Sequence, residues 1–140
     1  MKTLTQLRQE REDKTTALLN NCKVFFAFSK EQFEENKTQL EEGDTYNATG
    51  FGGYLPASQV DNYMTGVQNI MEEYDREIQA NDLRRAYILY ELNNHECFYT
   101  GDIEPAYDSL IGKYTIEEVA QVYRETKAKK YESHNLATAN

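Results

Sequence analysis

The spacing of apolar residues predicts a protein built mainly of helices. The longest regular stripe follows the i, i+3, i+4, i+7 pattern of one buried helix face and consists of Val60, Tyr63, Met64, Val67, Ile70, Met71, Tyr74 and Ile78. Residues 86–90 read AYILY and are apolar nearly all round, so the helix predicted over residues 83–94 should be central. A last helix is predicted to begin after a capping box of Thr115 and Glu118.

The N-terminal half combines helical and extended signals. Residues 3–21 predict a weakly amphipathic, partly exposed helix, and residues 24–28, which read VFFAF, predict a buried strand. Ser29 and Gln32 form a second capping box that begins a helix expected to run to Glu42. Residues 44–56 contain the turn residues and aromatics that are typical of a strand–turn–strand segment.

These elements predict an α-rich α+β fold, with about five or six helices packed against a sheet of two or three strands. We expect an N-terminal helix over residues 1–22, a single compact domain over residues 23–132 and a disordered polar tail over residues 133–140. Cys97-Phe98-Tyr99 is expected to be extended, and Asp102 is expected to cap a short helix.

The charge is strongly negative and unevenly distributed. The 140 residues include 24 acidic and 15 basic side chains, for a net charge of −9. Residues 29–108 alone carry 17 acidic and five basic side chains, a net charge of −12. Phosphate recognition needs a basic surface, so direct nucleic-acid binding is not expected.

Several features favour a cytoplasmic protein. The first residues, MKTLTQLRQEREDK, lack the apolar core of a secretory signal, and no apolar window is long enough to span a membrane. The two cysteines, Cys22 and Cys97, form no CxxC pair and are expected to be reduced.

The acidic middle of the chain is the first candidate for function. A negative surface of this kind can be complementary to a basic protein groove, and the alternative is a solvated face that keeps the protein soluble. The residues predicted to form this surface are Glu31, Glu34, Glu35, Glu41, Glu42, Glu72, Glu73 and Asp75.

A second candidate is a polar site around the end of the central helix. Helical spacing places Tyr87, Glu91 and His95 on one stripe, and Glu96 and Asp102 follow closely. A carboxylate and an imidazole one turn apart can bind a divalent metal or act as an acid/base pair. The competing interpretation, a hydrogen-bonded helix end, is favoured here, and no catalytic residue, metal or cofactor is assigned.

The glycine segment over residues 49–53, TGFGG, is interpreted as a turn. A phosphate-binding loop would need Gly-Lys-Ser/Thr or G-x-G-x-x-G before a helix. Neither motif is present, and no lysine or arginine lies between Lys37 and Arg76.

Three segments together resemble a family of short proteins of unassigned function from gut bacteria, their phages and other mobile elements. They are FFAFS at residues 25–29 followed by Gln32-Phe33, GFGG at residues 50–53, and ELNNHE at residues 91–96. The resemblance implies no activity, cofactor or catalytic residue. It does imply a mobile-element context, in which small acidic proteins often bind host enzymes, including nucleases of restriction or CRISPR systems.

The preferred hypothesis is therefore a non-enzymatic, acidic protein-binding module whose partner has a basic surface, such as a host defence nuclease of the type blocked by anti-CRISPR or anti-restriction proteins. The first alternative is a small metal-dependent or acid/base enzyme centred on Glu91, His95 and Glu96. The second is an accessory structural homodimer.

Overall fold

The computed structural model describes residues 1–138 and confirms an α-rich α+β fold. This part of the chain contains seven α-helices, one short 3-10 helix and three strands. In chain order they are α1 (Leu4–Asn21), β1 (Phe25–Phe26), α2 (Lys30–Asn36), β2 (Tyr46–Gly50), β3 (Gly53–Pro56), the 3-10 helix (Ala57–Gln59), α3 (Val60–Ala80), α4 (Arg84–Asn94), α5 (Cys97–Thr100), α6 (Glu104–Ser109) and α7 (Ile116–Thr138).

The chain divides into two compact units, one over Met1–Glu77 and one from Ile78 onward. The single domain predicted over residues 23–132 stays a prediction, and each unit is described by itself below. Helix α7 continues to Thr138, past the start of the predicted tail, because neither proline nor glycine follows Gly112. The end of that predicted tail, residues 139–140, lies outside the described residues.

A three-stranded antiparallel sheet in the order β1-β3-β2 organises the first unit. Helix α2 contributes Phe33 to an aromatic cluster on one face of this sheet, and Phe25, Tyr46 and Tyr54 supply the other rings. Ring centroids in the cluster lie 5.1–5.6 Å apart, mostly in edge-to-face geometry. Such pairs add to the stabilisation that burial already provides.

Helix α1 and the part of α3 up to Glu77 also belong to the first unit and contact each other directly. Leu7 of α1 is buried, and a Cβ atom at Gly66 of α3 would overlap the side chain of Leu18. The small residue thus lets the two helices approach closely. The Arg11 guanidinium lies 4.3 Å from the ring centroid of Tyr74, and this cation–π contact ties a charged position of α1 to α3.

Two predictions for the first unit are corrected. The VFFAF segment is not a fully buried strand, because β1 lies at a sheet edge and its side chains alternate: Phe25 is buried, whereas Phe26 is 46% exposed. Helix α2 ends at Asn36 instead of Glu42, where the Asn36 amide donates to the Phe26 carbonyl and the Thr38 hydroxyl donates to the Lys23 carbonyl.

Helix α4 is central in the second unit, as the sequence predicts. Ile88 and Leu92 are fully buried, and α4 contacts α5, α6 and α7. The extended conformation predicted for Cys97–Tyr99 is wrong, because α5 forms a helical turn there. Glu96 adopts the left-handed helical conformation, with φ 55°, between α4 and α5. The next residue, Cys97, is buried in the core of this unit.

We predict that the second unit loses stability in acid. The hydrogen bond from Arg84 holds the pKa of Glu118 below its ordinary value, with a further contribution from the Thr115 N–H. A lowered folded-state pKa stabilises the fold above the unfolded-state value, and this stabilisation disappears as pH falls through the folded-state value.

The melting temperature should therefore fall between about pH 5 and pH 3, measured by circular dichroism. The drop in melting temperature should be smaller in the Arg84→Gln variant, which lacks the partner of Glu118. If the melting temperature of both proteins depended on pH in the same way, the acid sensitivity would not come from the Arg84–Glu118 pair.

Candidate functional site

Five of the predicted acidic residues lie on α2 or in the loop that follows it. All five side chains are exposed: Glu31, Glu34, Glu35, Glu41 and Glu42. Within the part of the chain whose side chains are described, Glu34 forms an ion pair at 2.7 Å with Lys37, and the other four form none. We call Glu31, Glu35, Glu41 and Glu42 the acidic surface.

The three predicted acidic residues on α3 have a different environment. Glu73 lies 2.8 Å from Lys14 of α1, and the hydrogen bond from Lys14 holds the pKa of the Glu73 carboxyl below its ordinary value. Glu72 accepts a hydrogen bond from Gln68 at 2.8 Å, and Asp75 is half-buried. Sequence reasoning grouped these residues with α2, whereas the structure shows Glu73 engaged within the fold.

Exposed aromatic side chains lie near the β2–β3 turn of the three-stranded sheet. Phe28 is 77% exposed and Phe51 is fully exposed, in addition to the half-exposed Phe26. We call these three residues the aromatic tip. Gly52 adopts φ +80°, and a Cβ atom there would overlap the Phe28 ring, so glycine is required at this turn. The alternation of Phe25 with Phe26 could have revealed this exposure, but the apolar run concealed it.

The aromatic tip lies next to helix α2. Phe28, Lys30, Phe33 and Glu34 line one shallow depression with Tyr54. The exposed Phe28 ring beside the Glu34 carboxylate offers apolar anchor area next to charge, which is a combination typical of protein interfaces.

The polar site predicted in the second unit is partly assembled. The His95 Nε2 atom lies 3.3 Å from Glu91 Oε2. The Ser109 Oγ atom lies 3.0 Å from the same carboxylate oxygen and 2.7 Å from the Ala106 carbonyl oxygen, and its single proton can serve either acceptor. Sequence reasoning missed Ser109, because it lies on α6 and no local pattern links it to α4. The carboxylate stands between the hydroxyl and the imidazole. Activation of a serine requires the imidazole to contact the hydroxyl, so this order does not form a catalytic triad.

The other residues predicted for this polar site do not join the contact between Glu91 and His95. The buried Tyr87 hydroxyl accepts a hydrogen bond from Lys113 at 3.1 Å, and Asp102 accepts one from the Glu104 N–H at 3.0 Å. Glu96 is exposed at its positive-φ position. Across the described residues, no cluster of three or more histidine, cysteine or acidic side chains has a geometry that could hold a metal ion. The arrangement agrees best with a hydrogen-bonded helix end.

The two cysteines are free and buried. Burial raises the pKa of the Cys22 and Cys97 thiols, which favours the protonated form. The thiolate is the reactive species, so neither position has the properties of a nucleophile.

Comparison with known proteins places the chain in a family without assigning it an activity. The model of DUF7659, a family of unknown function, matches residues 7–131. The chain belongs to this family. This agrees with the resemblance to an uncharacterised family, while an origin in phages or mobile elements stays a prediction. Neither curated proteins nor solved structures gave a match. Among the described helices, none combines the length and apolar character needed to cross a membrane.

Proposed function

We propose that this DUF7659 protein is a non-enzymatic binding module that engages a basic protein through its acidic surface. One observation carries the proposal: four exposed carboxylates on α2 and its following loop have no ion-pair partner among the described side chains. The acidic residues of α3, in contrast, include Glu73 in a contact with Lys14.

The physical basis is electrostatic complementarity. Exposed charges of one sign steer a partner of opposite sign and raise the association rate. Charge alone supplies little affinity at an exposed site, because water and salt screen it. The aromatic tip beside α2 supplies apolar area that a partner can bury, with Phe28 and Phe51 as the anchors.

The class of partner follows from the same chemistry. A groove that binds nucleic acid is lined by lysine and arginine, and an acidic surface can occupy it in place of phosphates. We propose a nucleic-acid-binding nuclease of a host defence system as the specific partner, in a phage or mobile-element context and in the bacterial cytoplasm. The family resemblance, and not the geometry, motivates this specific form.

The two alternatives receive less support. For the enzyme centred on Glu91, His95 and Glu96, the structure brings Glu91 and His95 together at 3.3 Å, but among the described side chains Glu96 forms no ion pair or hydrogen bond with either, and a hydrogen-bonded helix end accounts for the same pair. A structural homodimer would bring together two copies that each carry a net charge of −9.

We predict that binding depends strongly on salt. A partner recovered with this protein as bait would be purified, and the association rate would be measured by stopped-flow kinetics. The rate should fall about tenfold or more as salt rises from about 0.05 M to about 0.5 M, while the dissociation rate changes little. An association rate that is independent of salt would contradict the proposal.

A further inference from the structure

The outer edge of β2 is an unpaired strand edge in the first unit. Strand β2 lies at one end of the sheet order β1-β3-β2, so only one of its sides faces β3. In an antiparallel pair, the backbone groups of successive residues point alternately toward the partner strand and away from it. The register therefore determines which groups of β2 point outward.

The register assigns Tyr46 and Ala48 to the outer edge. The Thr45 carbonyl accepts a hydrogen bond from the Ala57 N–H at 2.7 Å, so Thr45 points toward β3. Tyr46 pairs with Pro56 and Ala48 pairs with Tyr54 at the alternate positions. Pro56 lacks an N–H, which fits a non-hydrogen-bonded pair. Two N–H and two C=O groups thus face away from the sheet.

The two edges of the sheet differ. At the β1 edge, the Asn36 side chain donates to the Phe26 carbonyl at 2.9 Å and closes that side. At the β2 edge, no hydrogen bond from the described residues reaches the backbone of Tyr46 or Ala48. Strand edges are commonly protected by proline, by charged residues or by a bulge. The YNATG segment has no proline and no charge, and its irregularity lies beyond Ala48.

We infer that β2 is the docking edge for an extended, basic segment of the partner, which adds to the sheet as a fourth strand. The inference rests on the proposed function and names its docking mode. Main-chain hydrogen bonds to Tyr46 and Ala48 supply the pairing. The occupant is basic because exposed Glu41 and Glu42 precede the strand, and because no lysine or arginine lies between Lys37 and Arg76.

A second copy of the same chain fits this edge less well. The second copy would bring its own Glu41 and Glu42 before its β2 strand, and it carries the same net charge of −9. An extended segment with alternating lysines instead brings positive side chains toward the end of β2 that Glu41 and Glu42 precede in the chain.

A proline substitution removes one outward donor selectively. Ala48→Pro deletes an N–H that does not pair with β3, and proline is tolerated at strand edges. Ala48→Val is the matched control, because it retains the N–H at the same exposed position. Circular dichroism and thermal melting establish that both variants fold.

The probe is an acetylated, amidated peptide that alternates valine and lysine over about eight residues, and binding is measured by calorimetry. Ala48→Pro should weaken binding about tenfold, and Ala48→Val should change it less than about twofold. In the unmodified protein, saturating peptide should slow the amide exchange of Tyr46 and Ala48, measured by NMR. Equal affinity of the two folded variants for the peptide would overturn the inference. So would the absence of added amide protection at Tyr46 and Ala48 in the unmodified protein, and this second test does not depend on whether Ala48→Pro folds.

The remaining outcomes separate the docking mode from the function. If the peptide binds both variants equally and reversal of Glu41 and Glu42 abolishes binding, the edge inference fails and the proposed function stands. If the peptide does not bind, or if a matched valine–glutamate peptide binds as well, the edge inference also fails. Concentration-dependent protection of Ala48 without peptide would show that a second copy occupies the edge, and would overturn it too.

Discussion

Leu92→Ala is expected to lower the free energy of unfolding by about 2–5 kcal/mol. Leu92 is fully buried in α4, and helices α5, α6 and α7 all contact α4. Truncation removes the transfer free energy of the side chain and leaves a cavity that the surrounding helices fill only partly. The total free energy of unfolding of a natural protein is about 5–15 kcal/mol, so the expected loss is a large share of that total.

Urea unfolding followed by tyrosine circular dichroism would measure the loss, since the chain has 11 tyrosines and no tryptophan. Ile111→Ala is the control, because Ile111 is 65% exposed and its truncation should cost less than about 0.5 kcal/mol. Equal losses for the two variants would show that α4 is not the centre of the second unit.

Local sequence signals predicted the helices well. The capping box of Thr115 and Glu118 involves residues three positions apart, and the structure confirms it. The apolar stripe predicted the helix α3 correctly, but its burial only in part, because Tyr74 and Ile78 are buried whereas Met64 and Met71 are 61% and 51% exposed. The turn in the glycine segment is confirmed as the connection between β2 and β3. Interactions of this short range are determined by sequence spacing alone.

Long-range contacts were not predictable in the same way. The end of α2 depends on Asn36 reaching the Phe26 carbonyl, and the engagement of Glu73 depends on Lys14 in another helix. The sequence therefore indicated one group of acidic residues in or beside α2 and another on α3. It could not show that Glu73 pairs with Lys14, or that only Glu34 of the first group has an ion-pair partner among the described side chains. The placement of Ser109 beside Glu91 depends on the packing of α6 near α4 in the same way.

Reversing the acidic surface is expected to have the largest effect on binding. Each carboxylate replaced by lysine adds two positive charges, so changing four alters the net charge from −9 to −1. The variant carries Glu31→Lys, Glu35→Lys, Glu41→Lys and Glu42→Lys. Affinity for the basic partner should fall about 100-fold, mainly through slower association, because attraction becomes repulsion where the partner approaches. All four side chains are exposed, so the fold should be retained.

The matched control applies the same change in net charge to the second unit. It carries four reversals at exposed positions, namely Glu104→Lys, Asp108→Lys, Glu117→Lys and Glu132→Lys. Thermal melting would verify that both variants fold. Because screening confines the effect of exposed charges to about 10 Å or less at physiological salt, the position of the charges should matter more than their sum.

The measurement that decides is the affinity of the purified partner for the unmodified protein, the acidic-surface variant and the control variant, at one salt concentration. A loss of about 100-fold for the acidic-surface variant, with a loss of less than about threefold for the control, is the predicted result. Equal affinity of all three proteins, or equal losses in both variants, would contradict binding through the acidic surface of α2 and its following loop.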